Sequence, residues 1–136
     1  MASTCAFCRI ASGEAAEHVV YADERTIAFL DANPAVEGHV IVAPKVHRAE
    51  LLTADEPTAA AVFRTLRTVS ATMERALTPD GFSAFYSTAS LVGTVTHAHV
   101  HLLPRNRDDE VHLTLSRSRL DPAEGADLAE HLRAHR

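Results

Sequence analysis

The chain has 136 residues and a formal charge of −5, with its arginines scattered among aspartates and glutamates. That balance offers no basic stripe to a polynucleotide backbone, no run of about 18 apolar residues suits a membrane span, and Met1 to Ala11 lacks the basic and apolar regions of a secretory signal. A cytoplasmic protein of one domain over 1–136, acting on a small molecule, is the expectation.

Cys5 to Ser12 is long enough for one or two helical turns, stopped at Gly13. Its thiols, Cys5-Ala6-Phe7-Cys8, read as a metal or redox pair rather than a stabilising disulfide outside the secretory pathway. Residues 18–21 and 26–30 are β-prone runs separated by the polar turn 22–25, the length of a hairpin connection. Pro34 then breaks the pattern, because it lacks an amide donor and biases Asn33 out of the helical region. After Gly38, the run His39 to Ala43 has the β-branched enrichment of a buried, central strand.

Thr53 and Glu56 have the spacing of a capping box, with Pro57 in the first turn. Ala59, Val62, Phe63, Leu66, Val69, Ser70, Met73 and Leu77 then recur at three and four, the stripe of a long amphipathic helix ending near Leu77. Phe63 and Met73 are read as core. Phe82 to Ser87 is the next strand, followed by a loop to Gly93 and a strand through Pro104. Asn106 to Leu120 has no clear period, and Asp121-Pro122 starts a final helix toward Arg133. Strands and a long helix without regular alternation argue an α+β fold with an antiparallel sheet. The core covers about 5–105 and a C-terminal extension 106–136.

The densest chemistry lies in Thr94 to Pro104. On a strand, His97, His99 and His101 project to one face while Ala98, Val100 and Leu102 project to the other. About 0.04 such histidine triplets are expected by chance at this histidine content. Imidazole is a nucleophile when neutral and a proton donor when charged, so three in a row can divide those roles.

The segment His97-Ala98-His99-Val100-His101-Leu102-Leu103 resembles the histidine triad motif, His-φ-His-φ-His-φ-φ with φ apolar, of the HIT superfamily of nucleotide hydrolases and transferases. The likeness extends to F-L-D-x-N-P at Phe29 to Pro34, G-H-V-I-V-A-P-K-x-H at Gly38 to His47, and L-L-P-R at Leu102 to Arg105. It implies a five-stranded antiparallel sheet with one long helix and a C-terminal helix, joined as a homodimer. It also implies hydrolysis or transfer at a nucleoside-monophosphate linkage, a phosphoramidate or a dinucleoside polyphosphate, on a purine nucleotide. Attack on the α-phosphorus falls to His99, giving a nucleotidyl-histidine that water resolves. The His97 carbonyl would fix the His99 tautomer, His101 would hydrogen-bond phosphate or leaving-group oxygens, and His39 matches a fourth active-site histidine. Thr94 sits where relatives contact the leaving group.

Asp31 matches an acidic residue that accepts from both ribose hydroxyls; its plainer reading is a cap on the Pro34 loop. Phe7, Ile10 and Phe29 match the apolar residues that sandwich a purine, and each could equally be core. The same resemblance, to bacterial zinc-containing relatives, makes Cys5, Cys8, His47 and His97 a closed structural zinc set of two thiolates and two imidazoles. A zinc hydrolase using all three triad histidines is the rival metal reading. Two departures stand out: relatives carry an Asn near the end of the fourth strand and a Gly-Gln pair before the triad, where this chain has Tyr86-Ser87 and Val92-Gly93-Thr94. Two polar phosphate contacts are therefore absent or replaced, and a nucleotide-binding or zinc-stabilised interaction protein with little turnover is the alternative function.

Overall fold

The computed structural model describes residues 4–89, 91, 93 and 95–136. Five antiparallel strands, β1 (Val19–Ala22), β2 (Thr26–Leu30), β3 (Val40–Pro44), β4 (Gly81–Phe85) and β5 (Val100–Arg105), form one sheet in the order β1-β2-β3-β5-β4. The apolar run after Gly38 occupies its centre: every residue of β3 is buried. Alternation along the strands then separates two cores. Ala28, Val40, Val42, Val100 and Leu102 face Val62, Val69 and Met73 of the long helix α2 (Glu56–Leu77). Ile27, Phe29, Ile41 and Ala43 face Phe7 and Ile10 of the short helix α1 (Ala6–Ala11). Each of the larger side chains, valine to phenylalanine, contributes about 1.5–3 kcal/mol when withdrawn from water.

Cross-strand register carries the second face over to the triad. Phe29 pairs with Ile41, and Ile41 with His101, so the three side chains stand on the α1 side of the sheet. Gly38 turns the chain into β3 at φ +89°, where a Cβ would meet Leu77 Cδ1 at 2.9 Å and Pro104 Cγ at 3.0 Å. Only glycine fits both the backbone angle and the space.

Asp55, not Thr53, caps α2: its carboxylate accepts from Thr58 N–H, and Ala59 N–H closes the first intrahelical bond on Asp55 O at 3.1 Å. Had Thr53 been the cap, Pro57 would occupy the position whose amide must make that bond, and proline has none. Phe63 is 65 % exposed rather than core. The small residues Thr58, Ala61 and Thr65 carry the buried stripe with Val62, and a Thr26–Thr65 hydroxyl contact of 2.5 Å lets both threonines be buried. The triad strand pairs only from Val100, so His97 and His99 lie in the extended approach to β5. The fourth strand runs over Gly81–Phe85 rather than Phe82 to Ser87. The final helix α3 (Pro122–Ala134) is capped by Asp121 as read from sequence, yet buries no residue. Among the described residues no helix is long and apolar enough to cross a membrane.

Candidate active site and metal cluster

His39 ends the loop that precedes β3, and its ring is oriented from two sides. Ala35 N–H donates to His39 Nδ1 at 3.0 Å, and His39 Nε2 lies 2.9 Å from His101 Nδ1. Because Nδ1 is the acceptor, neutral His39 carries its proton on Nε2 and donates it to His101. His101 in turn is left with its own proton on Nε2, away from His39. Asp31 joins this group, with Oδ2 3.4 Å from His39 Nε2 and 3.9 Å from His101 Nδ1. Three such donors could hold a metal, but the Ala35 amide commits the His39 atom nearest the others to a proton. The group is a hydrogen-bonded chain.

His99 is held by the main chain of its neighbour. Its Nδ1–H donates to His97 O at 2.7 Å, which leaves the Nε2 lone pair unprotonated. Its ring packs edge-on to Phe7 at 4.9 Å and to His101 at 5.1 Å. Phe85, which sequence reasoning did not single out, stacks on His101 at 4.9 Å with 22° between planes. Burial, helped by neighbouring His99 and His39 and opposed by Asp31, pushes the His101 pKa down to about 4. Burial likewise lowers that of His39, with Asp31 opposing. Both rings are therefore neutral at pH 7.

A stability prediction follows. A histidine whose folded pKa is depressed binds fewer protons folded than unfolded, so its stabilisation is present above the unfolded value near 6.5 and is lost as pH falls toward 4. The thermal midpoint should decline across that window, and His101→Gln should flatten the decline. A midpoint independent of pH from 6.5 to 4 would refute the buried neutral ring.

A cavity of about 490 Å³ opens beside these rings, lined by Phe7, Ile10, Phe29, Ile41, Asp31, His99 and His101, with Glu17 and Asn33 among its other walls. Phe7, Ile10 and Phe29 thus serve both readings left open by the sequence: each is under a tenth exposed, and each also forms cavity wall. Asp31 likewise combines a local and a cavity-facing position, since one carboxylate oxygen accepts Asn33 N–H at 2.8 Å while the other approaches the histidines. Thr94 lies outside the described residues, as does Val92 of the departing loop. Gly93 lines the same cavity, and Ser87 lines a separate one of about 150 Å³ with Glu50 and Tyr86.

Behind His99, α1 brings a second set together. Cys5 Sγ and Cys8 Sγ each lie 3.4 Å from His97 Nδ1, and Cys8 Sγ is 3.4 Å from His47 Nδ1. All four donor atoms fall within 4.8 Å of one another. Metal–sulfur bonds near 2.3 Å and metal–nitrogen bonds near 2.05 Å at the tetrahedral angle require S···N separations of about 3.5 Å, so the spacing fits zinc. The His97 tautomer fits too. Its Nε2–H donates to Pro44 O at 2.7 Å, which turns an unprotonated Nδ1 toward the thiols, and burial keeps the ring neutral. The Pro44 carbonyl and Ala35 amide were not legible beforehand, because main-chain partners leave no residue-type signal.

A model of the HIT domain matches residues 12–108. The chain belongs to the HIT family. It is 36 % identical over 108 residues to an uncharacterized HIT-like protein of Methanocaldococcus jannaschii, covering 77 % of this chain and 81 % of the relative. A similar match, 30 % identical, covers 77 % of this HIT chain and 54 % of an adenylylsulfatase of Arabidopsis thaliana. Among solved structures, a Streptococcus mutans protein superposes with a TM-score of 0.92 at 32 % identity, covering 99 % of this chain and 87 % of that one. A zinc-bound histidine triad family protein of Mycobacterium smegmatis superposes at 0.74 and 29 % identity, covering 96 % and 97 %.

Proposed function

We propose that the protein is a nucleotide hydrolase or transferase that cleaves a nucleoside-monophosphate linkage, a phosphoramidate or a dinucleoside polyphosphate, through His99. The observation that carries this reading is the His99–His97 main-chain hydrogen bond, which frees one ring nitrogen at the wall of the cavity that also holds Asp31. His99 Nε2 donates its lone pair to the α-phosphorus, and the bond to the leaving atom breaks with its electron pair, that atom taking up a proton. Water then attacks the phosphorus, the phosphorus–nitrogen bond breaks back to His99, and the water's proton passes to solvent. Neutral His101 holds a phosphate oxygen through Nε2–H, an orientation relayed from Ala35 through His39. Cys5, Cys8, His47 and His97 would hold a structural zinc, which ties α1 and the His47 loop to the triad segment. The homodimer implied by the resemblance belongs to the same reading. Exposed Phe63, Leu128 and Leu132 are apolar surface that a second copy would cover, and sedimentation velocity returning only the monomer mass would refute it.

The nucleotide half is tested at Asp31. A carboxylate is acceptor-only and can take both ribose hydroxyls, and charged hydrogen bonds of about 1.5–3 kcal/mol make Asp31→Ala weaken AMP binding by roughly one to two decades. The 2′-deoxy nucleotide, already lacking one contact, should lose less. Calorimetric titration of both nucleotides against both proteins measures the coupling; simply additive losses would return Asp31 to the role of loop cap.

A further inference from the structure

One charged group of the nucleotide cavity has no part in the chemistry above. Glu17 lines it together with Ala6, Ile10, Phe29 and Leu30. The strand order shows at which end it stands. His101 on β5 is followed across the sheet by Ile41 on β3 and Phe29 on β2, which pairs with Val19 on β1. Glu17 lies two residues before Val19; Val19 N–H closes a tight turn on Glu17 O at 3.1 Å, and His18 O accepts Leu30 N–H at 2.9 Å, which keeps this stretch beside β2. Three strand spacings of about 4.8 Å put Glu17 roughly 14 Å from the His101 strand. A nucleotide whose phosphate meets His99 and His101, and whose ribose meets Asp31, therefore directs the far edge of its base toward Glu17. Among the described residues that line the cavity there is no lysine or arginine.

Resting on the proposed nucleotide reading, we infer that Glu17 selects the base, and that the base is guanine. A carboxylate offers acceptors only. Guanine presents two adjacent donors, N1–H and the 2-amino group, matched to the two carboxylate oxygens in a bidentate, charge-assisted pair. Hypoxanthine keeps N1–H and lacks the 2-amino group. Adenine presents its 6-amino donor beside an N1 lone pair, which a second carboxylate oxygen repels. Glu17 is exposed at the cavity rim, so solvent competes and the discrimination is moderate.

The test is calorimetric titration of the protein with GMP, IMP and AMP, repeated on Glu17→Ala and Glu17→Gln. The expected order is GMP over IMP over AMP, with GMP favoured over AMP roughly tenfold, about half of the strength available to a buried charged pair. In Glu17→Ala the GMP-to-AMP ratio should fall to about one, and Glu17→Gln, which offers one acceptor, should fall between. Equal binding of the three nucleotides by the unaltered protein would overturn the inference while leaving the nucleotide reading intact. A guanine preference that survives in Glu17→Ala would overturn it as well. If none of the three binds, the nucleotide reading itself fails and takes the inference with it.

Discussion

His99→Ala should keep the fold and bind nucleotide, yet turn over a nucleoside phosphoramidate at no more than about one per cent of the unaltered rate. That limit corresponds to about 2.7 kcal/mol of barrier, a modest demand on the loss of a nucleophile. The fold is expected to survive because His99 is partly exposed and belongs to neither buried apolar cluster, its ring meeting Phe7, His101 and the His97 carbonyl. Two readouts separate the nucleophile from a bystander. Mass spectrometry of rapidly quenched protein should find a nucleotidyl adduct on the peptide carrying His99, absent from the variant. His99→Gly with added imidazole should regain part of the rate, since the free ring can enter the space and attack in place of the missing one. Retention of more than one per cent of activity in His99→Ala would leave water activated elsewhere as the attacking group, and the protein would then resemble a binding module with incidental turnover.

The sequence carried the site better than it carried the helices, for a physical reason. His97, His99 and His101 share a face because a strand-like backbone alternates whether or not its amides are paired, so their mutual placement did not depend on where β5 begins. Helix α2 is legible from its period, but successive residues stand about 100° apart, and Phe63, beside the buried Val62, is turned away from the stripe of Thr58, Ala61, Val62, Thr65, Val69 and Met73. Thr53 and Asp55 are both acceptable caps by residue type, and the amide-less Pro57 is what separates them in favour of Asp55. Phe85 over His101 is a cross-strand pair set by the β4–β5 register, while the Ala35 amide on His39 and the Pro44 carbonyl on His97 depend on how the chain returns in space, and no spacing along the chain announces any of the three.

If Cys5, Cys8, His47 and His97 hold zinc as proposed, removing it should lower the thermal midpoint by about 10 °C. Free zinc at a hundred times its dissociation constant adds about 2.7 kcal/mol to the folded state, and in a chain of this size each kcal/mol moves the midpoint by roughly 4 °C. The metal would add a link among three separate places, α1 with its cap, the segment after β3 and the approach to β5, where α1 packs through Phe7 and Ile10 and the other two are joined by His97 to Pro44 O and Ala98 N–H to Arg48 O. Cys8→Ser should reproduce the loss without chelator, since Cys8 Sγ is the atom that approaches both imidazoles. Metal analysis by plasma mass spectrometry should return one zinc per chain in the unaltered protein and none in Cys8→Ser. The rival, a zinc hydrolase held by all three triad histidines, expects the reverse pattern, with zinc kept in Cys5→Ala and lost in His101→Ala. Native protein that contains no metal and melts at the same temperature with or without chelator would remove zinc from the account, and the 3.4 Å contacts would then be hydrogen bonds between thiols and rings.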